Sequence, residues 1–421
     1  MLTLVSHLDA VRDHLIRLDV RDKNWSPALG SADSAEVDLP LEALSTPIFT
    51  VDLDAVAGNV AAMQEWIDGR GASLAPHGKT TMCPALWRWQ LAQGSWAITV
   101  ANEAQLRVAR DAGFERLLVA NEFLSPVGLA WLADELDAHP EVEVITWVDS
   151  IAGVDQMTRA LRTAGAERPV PVCVEIGHPH ARAGVRDRQD AVALARAVRD
   201  SPRLQLRGVA GYEGSVPGSG DSKVAAVTDF LTAMADRFAA IVPLVESDEA
   251  ILTAGGSAYF DLVADVLGPV AAARSGTRLV VRSGAYIVHD DGMYAGLTPA
   301  KTRSGPQLTA AAHVYARVIS APEPNLVLLD VGKRDIPYDA DLPVVQQVIT
   351  SDGPVSAPAA TIVNTNDQHA YVELDEPGSL QVGDLVRLGM SHPCTMFDKW
   401  RSVLLIEGER PHVRGAVGTY F

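Results

Sequence analysis

The sequence contains no apolar run approaching the roughly 18–20 residues of a membrane-spanning helix. Its first 25 residues, MLTLVSHLDAVRDHLIRLDVRDKNW, mix charge into an amphipathic pattern. They lack the continuous apolar core of a signal peptide. Cysteine is scarce: Cys83, Cys173 and Cys394 are few and odd in number. A disulfide framework is therefore not expected, and a reducing, cytoplasmic setting is. Positive charge is in short supply as well. Thirty-five Lys and Arg stand against 53 Asp and Glu, a net charge of −18. A surface of that sign repels a phosphate backbone, so neither nucleic acid nor an anionic membrane is an expected partner.

What is present is a globular composition, 48% hydrophobic and 21% charged, over 421 residues. That length suits a large domain with a smaller one. Residues 1–45 read as a short helix followed by a polar stretch, an N-terminal extension. From TPIFTVDLDAVAGNV at Thr46 onward, β-rich runs alternate with Ala-rich stretches of helical spacing. The runs at 72–77, 96–100, 116–120, 143–148, 170–176, 206–212, 251–255 and 278–284 make eight candidate strands. Parallel strands need helical crossovers, and eight such units match a (β/α)8 barrel over 46–284. An open doubly wound sheet is the alternative. Residues 285–421 change texture, to short strands separated by Pro, Gly, Asn and Asp. They read as a C-terminal β domain.

In a parallel barrel, function sits at the C-terminal ends of the strands. The first strand is followed by PHGKT, with His77 and Lys79. The fifth is followed by GHPHARAGV, with His178, His180 and Arg182. GYEGS brings Tyr212, TAGGSAYF brings Thr253, Gly255, Gly256 and Ser257, and RSGAY brings Arg282, Gly284, Ala285 and Tyr286. Glycine-rich, hydroxyl-bearing loops after the last two strands suit a phosphate, which bare backbone N–H groups can cradle. Each glycine alone means little, because turns need glycine anyway, and a lone Lys79 reads as a surface lysine. Together they suggest pyridoxal 5'-phosphate, whose aldehyde a lysine amine can capture. In the β domain, SHPCTMF sets His392 and Cys394 two residues apart. By itself the pair fits a metal clip, a reactive thiol, or an ordinary loop.

The ordered set PHGKT, RAGV, GYEG, TAGGS and RSGAY, with the terminal HPC, resembles the D-serine dehydratase and D-threonine aldolase branch of the alanine-racemase-like, fold-type III pyridoxal phosphate enzymes. The resemblance covers Thr46 to Trp400. It implies an alanine racemase-like barrel with a C-terminal β domain. It implies Lys79 as the catalytic lysine that holds the cofactor, with His77 beside it. Arg182 would face the ring hydroxyl and the substrate carboxylate, Tyr212 the ring, and Arg282 the pyridine nitrogen. The Thr253–Ser257 loop would form the phosphate cup, closed by Gly284, Ala285 and Tyr286. His392 and Cys394 would bind a metal, with zinc favoured by thiolate and imidazole together. From its place in NTNDQHAYVEL, His369 could be a third ligand or a supporting group, or equally an ordinary surface histidine.

The activity implied is a zinc-assisted lyase reaction on a small D-amino acid. The expected form is dehydration and deamination of a D-β-hydroxy amino acid, with D-serine giving pyruvate and ammonia. A D-threonine aldolase and a D-threo-3-hydroxyaspartate dehydratase are the alternatives. For the latter, His178 and His180 are candidate contacts at the β-carbon. A non-catalytic pyridoxal phosphate-binding protein is a further reading. Family members of this type are usually homodimers, and a homodimer is expected here.

Overall fold

The computed structural model describes residues 7–421. Residues 1–6 of the expected N-terminal helix lie outside the described residues. The rest of that segment forms two 3-10 turns, His7–Ala10 and Arg12–His14, rather than one helix.

All eight candidate barrel strands form, at Ser73–Leu74, Ile98–Val100, Arg116–Glu122, Glu143–Val148, Val170–Ile176, Leu204–Gly211, Ala250–Ala254 and Thr277–Val281. They pair in parallel, each with its neighbour in sequence, and the eighth pairs with the first. A parallel bridge between His77 and Thr99, with the Thr99 N–H donating to the Pro76 carbonyl at 2.9 Å, joins first to second and closes the ring. Alternate residues point inward. Leu118, Ile145, Trp147, Cys173 and Ile251 fill the interior as one apolar cluster. Several of the helices outside start on side-chain caps. Asn102 accepts the Gln105 N–H at 3.0 Å and Ser150 accepts the Gly153 N–H at 3.2 Å, satisfying donors that a helix leaves free at its start.

The β domain is an eleven-stranded sheet. Two parts of it come from ahead of the barrel. Ile48–Asp52 lies between Ala312–Glu323, antiparallel, and Ser402–Glu407, parallel. Leu39–Pro40 pairs with His412–Gly418. The TPIFTV segment, expected to open the barrel, is therefore a strand of the other domain, and part of the expected extension belongs there too. Ile48, Phe49, Thr50 and Val51 are all buried. A short continuous apolar run fits any doubly covered sheet, so periodicity cannot assign it to one. Buried Asn24 stitches the layers together. Its amide donates to the Ser402 carbonyl and its oxygen accepts the Phe49 N–H, both at 2.9 Å.

Candidate active site

The mouth of the barrel is a cavity whose opposite rim comes from the β domain. Its lining includes His77, Lys79, Arg182, Tyr212, Gly255, Gly256, Ser257, Arg282, Gly284, Ala285 and Cys394. Motifs spread over more than three hundred residues thus meet in one place.

Lys79 sits in a single 3-10 turn, Gly78–Thr80, directly after the first strand. The turn packs so closely on Trp87 that a Cβ at Gly78 would lie 2.6 Å from the indole. Lys79 keeps some surface toward the open mouth. Burial of its amine lowers its pKa; the Cys394 sulfur opposes this, and Arg182 and Arg282 add to it. A lowered pKa raises the share of nucleophilic, neutral amine. Beside it, His77 is held well below its ordinary value, first by burial and then by Lys79 and the two arginines. Its Nδ1 is buried with no partner. A buried, unsatisfied ring nitrogen next to such an amine is a position that a ligand would complete.

The cradle is built from two loops. Gly255 adopts φ +115°, where a side chain would strain the backbone. The Gly255 and Gly256 N–H groups, at 3.0 and 2.7 Å, donate to the fully buried carboxylate of Glu213. Burial pushes Glu213 up, and these amides partly offset the shift. The Ser257 hydroxyl accepts the Ala285 N–H at 3.2 Å. At Gly284 a Cβ would fall 2.3 Å from the His77 carbonyl oxygen, so only glycine allows the two loops to meet. The Ser257 hydroxyl, the Tyr212 ring and the Lys79 amine, which line one cavity, together fit pyridoxal 5'-phosphate.

Other predicted residues have different surroundings from those expected. Thr253 is not part of the cup. Its hydroxyl accepts from Arg282 Nη1 at 2.6 Å and donates to the Val280 carbonyl at 2.9 Å. Arg282 is fixed a second time by the Gly211 carbonyl at 2.7 Å. Tyr286 turns into the core, where its hydroxyl meets Gln90 at 3.0 Å. Arg182 stacks its guanidinium on Tyr212, 4.9 Å from the ring centroid. His178 bonds the Pro179 carbonyl and His180 is exposed; neither lines the cavity. Cys83 and Cys173 are buried away from it, both thiols pushed up to about 12 by burial.

At the rim, Cys394 begins a four-residue helix, and its sulfur lies 3.4 Å from the Thr80 hydroxyl, next to Lys79. His392 lies just outside the lining and is drawn to two partners. Contact with the Cys394 sulfur, and then with Asp339, raises its pKa to about 9, against the effect of burial. Nδ1 of His392 is 2.6 Å from Asp339 Oδ2. His369 is exposed and does not join them. Among the described residues no three His, Cys, Asp or Glu side chains form a metal-binding group. The rim thus offers two donors, with a carboxylate orienting one of them. That arrangement fits a divalent ion with open positions.

Several residues of the site escaped the motif reading. Glu175, Trp147 and Tyr294 line the cavity, while Glu213 and Asp339 hold others in place. Glu175 was within reach, because it is two residues beyond the inward-facing Cys173 on the same strand. Asp339 carried no local signal.

Fold and cradle together define the class, a pyridoxal phosphate-dependent enzyme on an alanine-racemase-like barrel. Comparison with known proteins narrows it. The model described as "Alanine racemase, N-terminal domain" matches residues 51–279, and the "Putative serine dehydratase domain" matches 311–406. A D-threonine aldolase of Arthrobacter sp. is 30% identical over 362 residues, covering 84% of this chain and 86% of that protein. A 3-hydroxy-D-aspartate aldolase of Paracoccus denitrificans (strain Pd 1222) is 24% identical, over 87% and 88%. A D-threo-3-hydroxyaspartate dehydratase of Delftia sp. (strain HT23) is 27% identical, over 59% and 62%. The crystal structure of D-threonine aldolase from Filomicrobium marinum superposes with a TM-score of 0.77 at 24% identity, over 92% of this chain and 98% of that one. The chain belongs to this family of alanine-racemase-like pyridoxal phosphate lyases, in the D-serine dehydratase and D-threonine aldolase branch. Among the described residues no helix is long and apolar enough to cross a membrane.

Proposed function

We propose that the protein dehydrates and deaminates a D-β-hydroxy amino acid, D-serine first among them, using pyridoxal 5'-phosphate and a zinc-type ion. The observation that carries this reading is the placement of Cys394, paired with His392, in the same cavity as Lys79. The cofactor, when bound, supplies an electron sink for the charge left at Cα. A metal held by His392 Nε2 and Cys394 Sγ supplies Lewis acidity for a poor leaving group such as a β-hydroxyl.

The chain's own residues do the rest. Lys79 Nζ binds the cofactor and then receives the Cα proton, a task eased by its lowered pKa. Ser257, Gly284 and Ala285 bind the phosphate, and Tyr294, which contacts Ser257, closes over it. Arg182, set over the Tyr212 ring, binds the substrate carboxylate. With the proton acceptor on one loop and the hydroxyl-binding pair on the facing domain, only one configuration at Cα presents both groups correctly. Two solved forms of a D-threo-3-hydroxyaspartate dehydratase support a role for the pair. One is a metal-free form with a cysteine replaced by alanine. The other has alanine for a histidine two residues away, the spacing of His392 and Cys394.

Cleavage between Cα and Cβ is the second reading, favoured by the aldolase names of the relatives at 30% and 24% identity. A panel of D-serine, D-threonine and D-threo-3-hydroxyaspartate, assayed with zinc and after chelation, separates the two. Keto acid and ammonia, lost on chelation and absent in Lys79→Ala, are expected. Glycine and an aldehyde without keto acid would overturn elimination in favour of cleavage.

A further inference from the structure

Thr80 takes no part in the chemistry described so far, yet it stands between the two halves of the site. It ends the Gly78–Thr80 turn that carries Lys79, it is 3% exposed, and it lines the cavity. Its hydroxyl lies 3.4 Å from the Cys394 sulfur, a contact between residues 314 positions apart. A hydroxyl can accept from a thiol or donate to a thiolate, so the contact suits either form of the sulfur. Threonine is branched at Cβ, which restricts χ1 and limits where the hydroxyl can point. Cys394 and His392 come from the β domain, whereas Thr80 comes from the barrel.

The Lys79 turn is secured by other bonds that do not use this hydroxyl. Trp87 Nε1 donates to the Thr81 hydroxyl at 3.2 Å, and the Trp87 indole packs on Gly78. The Met82 N–H donates to the Gly78 carbonyl at 2.9 Å. Met82 is buried at φ +41°, a left-handed conformation uncommon for a residue with a side chain. Its carbonyl accepts the Tyr420 N–H at 3.0 Å, which holds it there. These ties place the turn; the Thr80 hydroxyl reaches beyond it, to the facing rim.

We infer that Thr80 is a positioning residue: its hydroxyl holds the Cys394 sulfur against the turn that carries Lys79, and so sets the metal-binding pair in register with the amine across the domain boundary. The inference rests on the proposed metal pair. Each donor then has a support of its own. Asp339 orients His392 at 2.6 Å and is itself fixed by the Thr395 hydroxyl at 2.7 Å. Thr80 does the same for Cys394, from the other domain. Groups that bond a metal ligand from behind govern affinity through its orientation.

The test compares Thr80→Val, which matches threonine in shape and lacks the hydroxyl, with Thr80→Ser, which keeps it. Zinc affinity of the cofactor-loaded protein is measured by competition with a chelating dye, beside cofactor absorbance and melting temperature. Thr80→Val should bind zinc about tenfold more weakly than the wild type, the lower end of the effect of losing such a support. Its absorbance and melting temperature should match the wild type, because the other ties to the turn remain. Thr80→Ser should bind zinc as the wild type does. Equal zinc affinity in the wild type and Thr80→Val would overturn the role of Thr80 alone, and so would a serine variant as weak as the valine one. A Thr80→Val protein that loses cofactor or melts well below the wild type would also overturn it, since the hydroxyl would then support the turn and not the sulfur. No zinc binding by the wild type would overturn the metal reading, and the role of Thr80 with it.

Discussion

The two walls of the cavity are built on different terms. The barrel wall is fixed in advance. Glu213 locks the Gly255–Gly256 amides, Arg282 is tied at two points, and Gly284 lets two loops touch. The β-domain wall is more open. The His392 side chain is 23% exposed and its partner Asp339 is 42% exposed. The first wall fixes where a cofactor rests, which calls for rigid donors in a low-dielectric setting. On the proposed reading, the second admits substrate and carries the pair of donors that would bear on which bond breaks.

Three substitutions press on that difference. Gly284→Ala attacks the rigid wall and should have the largest effect. A Cβ 2.3 Å from the His77 carbonyl forces the loops apart, at a cost of about 3 kcal/mol or more by the scale of overpacked cores. A lowered melting temperature and loss of bound cofactor, read by absorbance, are expected; a fully loaded, equally stable variant would contradict the close-approach argument. Asp339→Asn attacks the open wall. It removes the carboxylate that orients His392 and should weaken zinc binding roughly 10–100-fold, with cofactor absorbance unchanged. If cofactor content fell as well, the two walls would not be independent.

Glu175→Gln is read through pH. The folded protein holds the Glu175 proton up to about 8, against an ordinary value of 4.5. The stabilising contribution of that proton is complete below pH 4.5 and is lost as pH rises toward 8. Thermal melts should therefore show the variant gaining on the wild type from pH 5 to pH 8, and the gap should level off above. A constant gap would mean that Glu175 is ionised throughout.

The comparison also marks how far the sequence could be read. The eight barrel strands were visible because strand and helix periods alternate and turn residues punctuate them. Lys79, the Gly255–Ser257 loop, Gly284 and Cys394 were visible because their residue types suit one chemistry and their order matches one family. Side-chain direction was harder. Thr253 and Tyr286 lie inside correct motifs, yet one anchors Arg282 and the other meets Gln90 in the core. A loop's sequence fixes its turn more firmly than the rotamer of each residue in it. The strand Ile48–Asp52 was misassigned for a related reason, since being apolar says that it is covered and not by what.

By itself the sequence determined the barrel and the cofactor class, and it singled out Lys79 and the His-x-Cys pair as candidates. These depend on local period and on residue chemistry, which short stretches carry. Only the tertiary structure decided which groups face one another. It brought Asp339 against His392, and the Cys394 rim across from Lys79. Such contacts join residues 53 to more than 300 positions apart, and only packing fixes distances of that kind.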